Sequence, residues 1–291
     1  CTAASTARAG EPLRWKLQPG ERYDFSIEQE TLMEMVVMDQ ELAMTMTMGS
    51  DTPWEVVSVD DEGVITIKAS FARLRMALDS PQFALEYDSD SEEEVEGIGK
   101  MFADVFGAIV GAEFVTKMDS RGRFIDFEFD EEAMKKMKTV PGMEQMTSMF
   151  SAEGMTQLMG QGAAFLPEEA PEVGDTWEFK SETSNVAVGK QEMEIKYRYE
   201  GQEEIDGRML GKIGMVMDLN IEEGDDDAGQ IANVELEDYE GGGTLYFDVA
   251  AGRMSHSTIR QKMHMDVEAA GQFIEQDMTN DTTMTLKPAA E

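Results

Sequence analysis

Regular alternation of apolar and polar residues marks both ends of the chain. Residues 42–48 alternate Leu or Met with Ala or Thr, and residues 193–199 alternate apolar with charged side chains. This period of two places successive side chains on opposite faces of a β-strand. Turn-forming sequences such as Asp-Asp-Glu-Gly at residues 60–63 connect runs of this kind, as in antiparallel hairpins. The pattern predicts antiparallel β-sheet on both sides of a different central stretch.

The central stretch, residues 91–166, has the spacing of helices and many methionines. Ser91 begins a sequence with the form of a capping box, and the apolar residues of 95–110 then recur every three or four positions. Asp130 and Ser151 are suited to begin further short helices, and a strand-like interval precedes Asp130. We therefore predict an α+β fold, mainly antiparallel β, in which a Met-rich helical insertion with a short strand pair covers one side of the sheet.

Two short sequences occur once in each half of the chain. Residues 20–25 match residues 174–179 as Gly, acid, any residue, aromatic, acid, Phe, and residues 119–123 match 248–253 with one insertion. The matches indicate two similar curved β-units from an internal duplication, with chance similarity as the alternative. The predicted organisation is a flexible tether at 1–12, a first β-rich unit at 13–90, the helical insertion at 91–166 and a second β-rich unit at 173–288, all but the tether forming one integrated domain.

The size and charge of the chain limit its partners. Its 291 residues, 41% of them hydrophobic, are enough for a substantial core. The 60 acidic and 24 basic residues give a formal charge of −36. This charge opposes binding to nucleic acid and to anionic lipid headgroups, so we exclude both as partners. No run of about 18 apolar residues occurs, so we expect no membrane-spanning helix.

The single cysteine is Cys1, the first residue. One cysteine excludes a disulfide framework and a cysteine-rich zinc site. An N-terminal Cys followed by small polar residues is typical of a mature bacterial lipoprotein, and the alternative is a fragment that begins at this residue. We therefore predict lipidation at Cys1 and an exported protein held to the membrane by this anchor. Thr2, by resemblance to Gram-negative lipoproteins, favours the outer membrane, with the protein in the periplasm or at the cell surface.

No catalytic motif stands out. The chain has no Gly-x-Ser-x-Gly, phosphate-binding loop or His-Glu-x-x-His sequence, so we predict that it is not an enzyme. His256 and His264 are too far apart to ligate one ion from a single strand, at about 3.3 Å per residue, and we expect them at surface or sheet positions. Aspartates 225–227 leave a loose calcium site open, and the 25 methionines leave copper(I) open. Because Met also fills cores in place of Leu, we predict no metal and no cofactor.

Two longer sequences carry a resemblance to a known family. Residues 13–23 read Leu-Arg-Trp-Lys-Leu-x-x-Gly-Glu-x-Tyr after the small-residue tether, and residues 247–253 read Phe-Asp-x-x-x-Gly-Arg. This layout resembles bacterial lipoproteins of a β-rich domain family of unknown function. It is also loosely similar in architecture to the lipoprotein-carrier and lipid-binding lipoproteins, which implies a curved antiparallel sheet with an apolar face covered by helices.

These observations predict a non-enzymatic, lipid-anchored lipoprotein that binds an apolar ligand or acyl chain between the curved sheet and the Met-rich helices. The residues predicted to line the cavity are Met44, Met46, Phe102, Phe106, Met146 and Met149. The alternative is a structural or interaction lipoprotein of the cell envelope, with a filled core and an acidic surface for an unknown protein partner. Handling of copper or calcium is a third hypothesis.

Overall fold

The computed structural model describes residues 12–37, 40–92, 98–132, 134–135, 165–185, 189–222, 232–269 and 272–290. Thirteen strands and one helix lie in these ranges. They are β1 (Arg22–Val37), β2 (Gln40–Val59), β3 (Ile65–Ser70), β4 (Arg73–Asp79), β5 (Ala84–Asp88), α1 (Ile98–Ile109), β6 (Glu113–Met118), β7 (Phe124–Phe129), β8 (Thr176–Asn185), β9 (Gly189–Ile205), β10 (Arg208–Glu222), β11 (Ala232–Asp248), β12 (Arg253–Ala269) and β13 (Gln272–Pro288). At about 3.3 Å per residue, the 20 residues of β2 extend about 65 Å.

All described strands belong to one antiparallel sheet. Its order is β7-β6-β3-β2-β1-β13-β12-β11-β10-β9-β8, and β4 pairs with β2 and with β5. The strand β2 is long enough to pair with β4 through Thr45–Asp51 and with β3 through Trp54–Val59. The prediction of a mainly antiparallel β fold is confirmed.

The predicted α+β class is not confirmed, because α1 is the one full helix among the described residues. The predicted insertion also supplies β6 and β7, which extend the sheet rather than cover it. Alternating residues of β6 are buried, which is the strand period rather than the helical one. Residues 136–164, where the third and fourth short helices were predicted, lie outside the described residues.

The sheet curls at the end where β1 and β8 begin. Nine strand-to-strand steps separate β6 from β8, about 43 Å in a flat sheet. Yet two consecutive residues bridge them: the Leu166 amide donates to the Arg121 carbonyl after β6 (3.0 Å), and the Phe165 carbonyl accepts from Trp177 Nε1 in β8 (2.6 Å). Only a strongly curved sheet brings its two edges so close. One face is therefore concave, and we call it the inner face.

Two clusters of buried side chains fill this curled end. The first joins β1, β2, β3, β6 and β7 around residues such as Trp54, Ile67 and Phe127, and the second joins β9, β10 and β11 around Ile195, Tyr197 and Phe247. The segment before β1 contributes to both, because Leu17 belongs to the first cluster and Leu13 to the second. We call this filled part of the molecule the closed end.

The N-terminal segment is held by two turns that sequence matching had paired. The Trp15 amide donates to the Ser120 carbonyl and the Lys16 amide to the Gly252 carbonyl, both at 2.8 Å. Each turn is organised by an aspartate: Asp119 Oδ1 accepts from two backbone amides of its turn, and Asp248 Oδ1 accepts from one. The segment therefore lies between the β6–β7 turn and the β11–β12 turn.

The other matched sequences also form equivalent structures. Gly20 and Gly174 have φ of 89° and 100°, in the left-handed region that favours glycine. The Gly20 amide donates to the Val56 carbonyl in β2, and the Gly174 amide donates to the Tyr199 carbonyl in β9, both at 2.8 Å. In return, the amides of these two strand residues donate to the carbonyl of the residue that follows each glycine. These shared hydrogen bonds explain the sequence matches, whereas the duplication itself stays a prediction.

The helical signals had mixed outcomes. Asp130 begins a helical turn, since its Oδ1 accepts from the Glu132 amide and its carbonyl from the Met134 amide, both at 3.0 Å. The helix predicted to start at Ser91 is described only from Ile98, because residues 93–97 lie outside the described residues. No helix that the structure describes is long and apolar enough to cross a membrane.

Candidate ligand-binding face

A row of methionines crosses four adjacent strands on the inner face. Met33 of β1 lies opposite Met44 of β2 and Met278 of β13, and Met278 lies opposite Met263 of β12. Directly opposed side chains in an antiparallel sheet have Cβ atoms about 4.5–5.5 Å apart. The register therefore produces a continuous row of four thioether side chains.

The neighbouring rows continue this apolar surface. Met35 lies opposite Leu42, and Met265 lies opposite Leu236, one row beyond the methionines just described. We use the term methionine strip for the inner-face side chains of Met33, Met35, Met44, Met46, Met263, Met265 and Met278. All seven are partly exposed, and none belongs to the buried clusters found among the described residues.

A belt of hydrogen-bonded polar side chains borders the methionine strip on the side of the closed end. Gln29 Nε2 donates to Thr31 Oγ1 (3.2 Å), which donates to Asn280 Oδ1 (3.2 Å). Asn280 Nδ2 donates to Gln261 Oε1 (3.3 Å), and Gln261 Nε2 donates to the Tyr239 hydroxyl (2.8 Å). Burial raises the pKa of the Tyr239 phenol. The belt thus forms a neutral polar boundary made of five residues on four adjacent strands of the inner face.

The sheet divides beside the methionine strip. β10 and β11 pair only between Gly211–Met217 and Gly241–Phe247, although both strands continue beyond this region. Glycine is required at the division, because a Cβ on Gly242 would lie 2.9 Å from the Met215 carbonyl oxygen and one on Gly243 would lie 2.1 Å from the Thr258 carbonyl oxygen. Among the described residues of the two strands, no hydrogen-bond ladder joins β10 to β11 beyond Gly241, so the described sheet is divided along this side of the inner face.

Helix α1 borders the strip on its other side. Phe106 stacks on Tyr87 of β5 with ring centroids 5.4 Å apart. Tyr87 lies opposite Met76 of β4, which lies opposite Met48 of β2. This register places α1 on the inner face above β4 and β5, next to the strand that carries Met44 and Met46.

The opposite face is charged. Arg75 Nη1 donates to Asp51 Oδ2 and Arg75 Nη2 donates to Glu28 Oε1, both at 2.6 Å. These hydrogen bonds, chiefly the one to Asp51, raise the pKa of the Arg75 guanidinium above its ordinary value. Arg75 also lies across Gly49, where a Cβ would be 2.8 Å from Arg75 Nε. The outer face thus carries ion pairs together with scattered exposed apolar side chains such as Leu32, whereas the methionine strip is continuous and uncharged. This contrast makes the inner face the candidate binding surface.

The predicted cavity residues occupy different places. Met44 and Met46 belong to the methionine strip, and Phe106 belongs to the border formed by α1. Phe102 lies in α1, but its side chain lies outside the described part of the chain, as do Met146, Met149 and the predicted lipidation site Cys1. The described structure therefore brings Met44 and Met46 together and places Phe106 nearby.

The sequence patterns do not reveal which methionines complete the row. Met33 lies in a strand that is distant along the chain from those of Met263 and Met278, and their common row depends on the register between β1 and β13 and between β12 and β13. The alternation in each strand shows which residues share a face. It does not show which distant strands become neighbours.

Comparison with known families places the chain in a family whose function is unknown. The sequence profile of the family of unknown function DUF6263 matches residues 62–215, more than half of the 291 residues, so the chain belongs to this family. The predicted membership of a family of unknown function is confirmed. No curated protein matches the sequence significantly.

The solved structures that resemble the fold are distant in sequence. A lipovitellin structure, whose title concerns lipid–protein interactions, is 11% identical with a TM-score of 0.48 and covers 95% of this chain, which spans only 26% of the lipovitellin chain. An outer membrane channel from Pseudomonas putida F1 is 8% identical with a TM-score of 0.24, covering 94% of this chain and 97% of the channel. A DUF1329 family protein from Desulfovibrio piger is 10% identical with a TM-score of 0.14, covering 91% and 86%. Likenesses at this level do not define a shared function.

Proposed function

We propose that this protein is a non-enzymatic binding protein whose methionine strip holds an apolar ligand with an acyl chain. The observation that carries the proposal is the partly exposed row formed by Met44, Met33, Met278 and Met263. Thioether side chains are unbranched and polarisable, so they adapt to flexible apolar chains at low cost. A surface of this kind on the concave side of a sheet is a typical apolar ligand site.

The dimensions and chemistry of the strip fit an extended acyl chain. From the Thr31–Asn280 pair to the Met35–Gln276 pair, the strip runs along five residues of β1, about 17 Å. Four strands make it about 14 Å wide. Each CH₂ group buried there contributes about 0.8 kcal/mol. The polar belt at one end offers a neutral amide and hydroxyl surface to the polar end of such a ligand.

The proposal also includes export and lipid attachment at Cys1, which would place the protein at the outer membrane. The formal charge of −36 opposes contact of the protein body with anionic headgroups. An acylated N-terminus would then hold the protein at the membrane without embedding its charged outer face. Mass analysis of the N-terminal peptide from the native membrane tests this part, since an unmodified Cys1 contradicts it.

The ligand site is tested with a matched pair of substitutions on one strand. Met33→Asp places a charge in the strip, whereas Leu32→Asp places the same charge on the opposite face, where Leu32 is 41% exposed. The probe is 11-(dansylamino)undecanoic acid, whose fluorescence is titrated with the delipidated full-length protein and then competed with palmitate. We expect saturable binding that Met33→Asp weakens at least tenfold, because a carboxylate in an apolar site must be desolvated. Leu32→Asp should leave the affinity within twofold.

Two results contradict the proposed function. One is the absence of saturable binding by the wild-type protein, which favours a structural module. The other is an equal effect of both substitutions, which shows that the probe does not occupy the inner face. Far-UV circular dichroism of both variants verifies that the sheet is intact.

A further inference from the structure

The outer face of β12 and β13 carries a cluster of nitrogen and oxygen donors. His264 lies opposite Asp277 in the strand pairing, and Asp266 lies opposite Glu275. Single donor atoms of His264, Asp266 and Glu275 all lie within 4.8 Å of one another. In a tetrahedral zinc site with bonds of about 2.1 Å, donors are about 3.4 Å apart. The donors are therefore at most about 1.4 Å farther apart than in such a site, a difference that small side-chain rotations can close.

An unsatisfied oxygen gives an independent reason to place an ion there. Asp266 Oδ1 is buried, yet it has no hydrogen-bond partner. Buried polar atoms are nearly always hydrogen bonded, and each exception needs an explanation. A bound cation would supply the missing partner for this oxygen.

The imidazole is already oriented by a carboxylate. His264 Nδ1 contacts Asp277 Oδ1 at 2.9 Å, and this hydrogen bond raises the pKa of His264. When Nδ1 donates its proton to Asp277, Nε2 carries the lone pair that a metal requires. Metal-bound histidines commonly donate their second nitrogen to a carboxylate in this way.

Charges on the neighbouring strands favour a cation. On β11, Asp238 lies opposite His264 and Glu235 opposite Asp266, and on β1, Glu34 lies opposite Asp277. These two cross-strand rows contain no Lys or Arg, and the nearest basic residue along β12 is Lys262. The uncompensated carboxylates attract a divalent ion, because it would reduce their mutual repulsion.

We infer that His264, Asp266 and Glu275 form a binding site for a divalent transition metal of the zinc class, with Asp277 positioning the imidazole. One nitrogen and two carboxylate donors suit Zn²⁺, whereas a site for Ca²⁺ contains oxygen donors alone. The site lies on the face opposite the methionine strip, so it is independent of the proposed ligand binding.

The test is isothermal titration of the full-length, chelator-treated protein with Zn²⁺ at pH 7 and 150 mM salt. We expect one Zn²⁺ per chain, with an affinity that His264→Gln and Asp266→Asn each lower at least tenfold. His256→Gln is the matched control, because His256 lies on the same strand but stacks on Tyr246 at 4.5 Å. This control should bind Zn²⁺ within twofold of the wild-type affinity.

A second measurement does not depend on any variant folding. In NMR spectra of the wild-type protein, Zn²⁺ should shift the ring resonances of His264 and leave those of His256 in place. Absence of saturable Zn²⁺ binding overturns the inference. So does Zn²⁺ binding that His264→Gln leaves unchanged, or Ca²⁺ binding of equal affinity, because either result reports attraction to carboxylates alone.

Discussion

Replacement of Gly252 by Ala tests how the N-terminal segment is held at the closed end. Gly252 has a φ of 65°, in the left-handed region, where an L-residue with a side chain is less stable by about 1–2 kcal/mol. A Cβ at this position would lie 2.4 Å from Lys16 Cβ and 2.8 Å from the Lys16 backbone nitrogen. Since the second atom belongs to the main chain, rotation of a side chain cannot relieve the contact.

The expected loss of stability follows from these two effects. The segment must move away from the turn, which breaks the 2.8 Å hydrogen bond from the Lys16 amide to the Gly252 carbonyl. A hydrogen bond of this kind contributes about 1 kcal/mol. Displacement of the adjacent Leu17, which is only 1% exposed, removes further apolar burial of about 1 kcal/mol. We expect Gly252→Ala to lower the free energy of unfolding by about 3–4 kcal/mol in total.

Gly207→Ala is the matched control, because it introduces the backbone strain of a positive φ without any steric contact. Gly207 has a φ of 75°, and no atom lies within 4 Å of a Cβ built there. It should therefore show only the conformational penalty, about 1–2 kcal/mol. Both variants are compared by urea unfolding, monitored by tryptophan fluorescence. If Gly252→Ala destabilises the protein no more than Gly207→Ala does, the N-terminal segment is not packed against the β11–β12 turn as described.

Three further predictions concern the core, the two histidines and the outer face. Leu166→Ala should lower the free energy of unfolding by about 2–5 kcal/mol, because this side chain is 0% exposed, and an effect below about 1 kcal/mol in urea unfolding would contradict its burial. NMR titration should give His264 a pKa above the ordinary value, because Asp277 is its hydrogen-bond partner, and His256 a pKa below it, because His256 is partly buried. The pairing of His264 then stabilises the fold at low pH, and this stabilisation is lost as the pH rises through the folded-state pKa. The reverse order of the two pKa values would refute these environments. Gly49→Ala should destabilise the protein by about 1 kcal/mol by displacing Arg75, and most of this penalty should disappear in an Arg75→Ala background, as measured by a double-mutant cycle.

Local patterns predicted the local structures. The alternation in residues 193–199 corresponds to β9, in which Ile195 and Tyr197 are buried. The turn at residues 60–63 forms as expected: Asp60 Oδ1 accepts from the amides of Glu62 and Val64, and Gly63 has a positive φ. These features depend on neighbouring residues, so the sequence contains the information directly.

The site could be predicted only in part, because it depends on distant pairings. Met44 and Met46 were correctly assigned to one face of a strand, but nothing near them in sequence indicates that Met278 would complete their row. The segment around Leu166 was predicted as the end of the insertion, and its role in the core was not foreseen. Leu166 is fully buried, and this segment holds the β6–β7 turn against β8. Such contacts arise from the curvature of the whole sheet.

The pairing of β1 with β13 has a consequence for how the chain folds. The register joins Tyr23 to Pro288 and continues through Val37 and Ile274, so residues about 240–265 positions apart must meet before the sheet is continuous. Contacts of such high sequence separation slow folding, because the entropy of a long loop is lost before the contact is gained. A nascent chain that lacks β13 leaves the edges of β1 and β12 unpaired, and unpaired edges favour aggregation. The sheet therefore becomes continuous only when β13 has been synthesised, so the docking of this one strand protects both of its neighbours from aggregation.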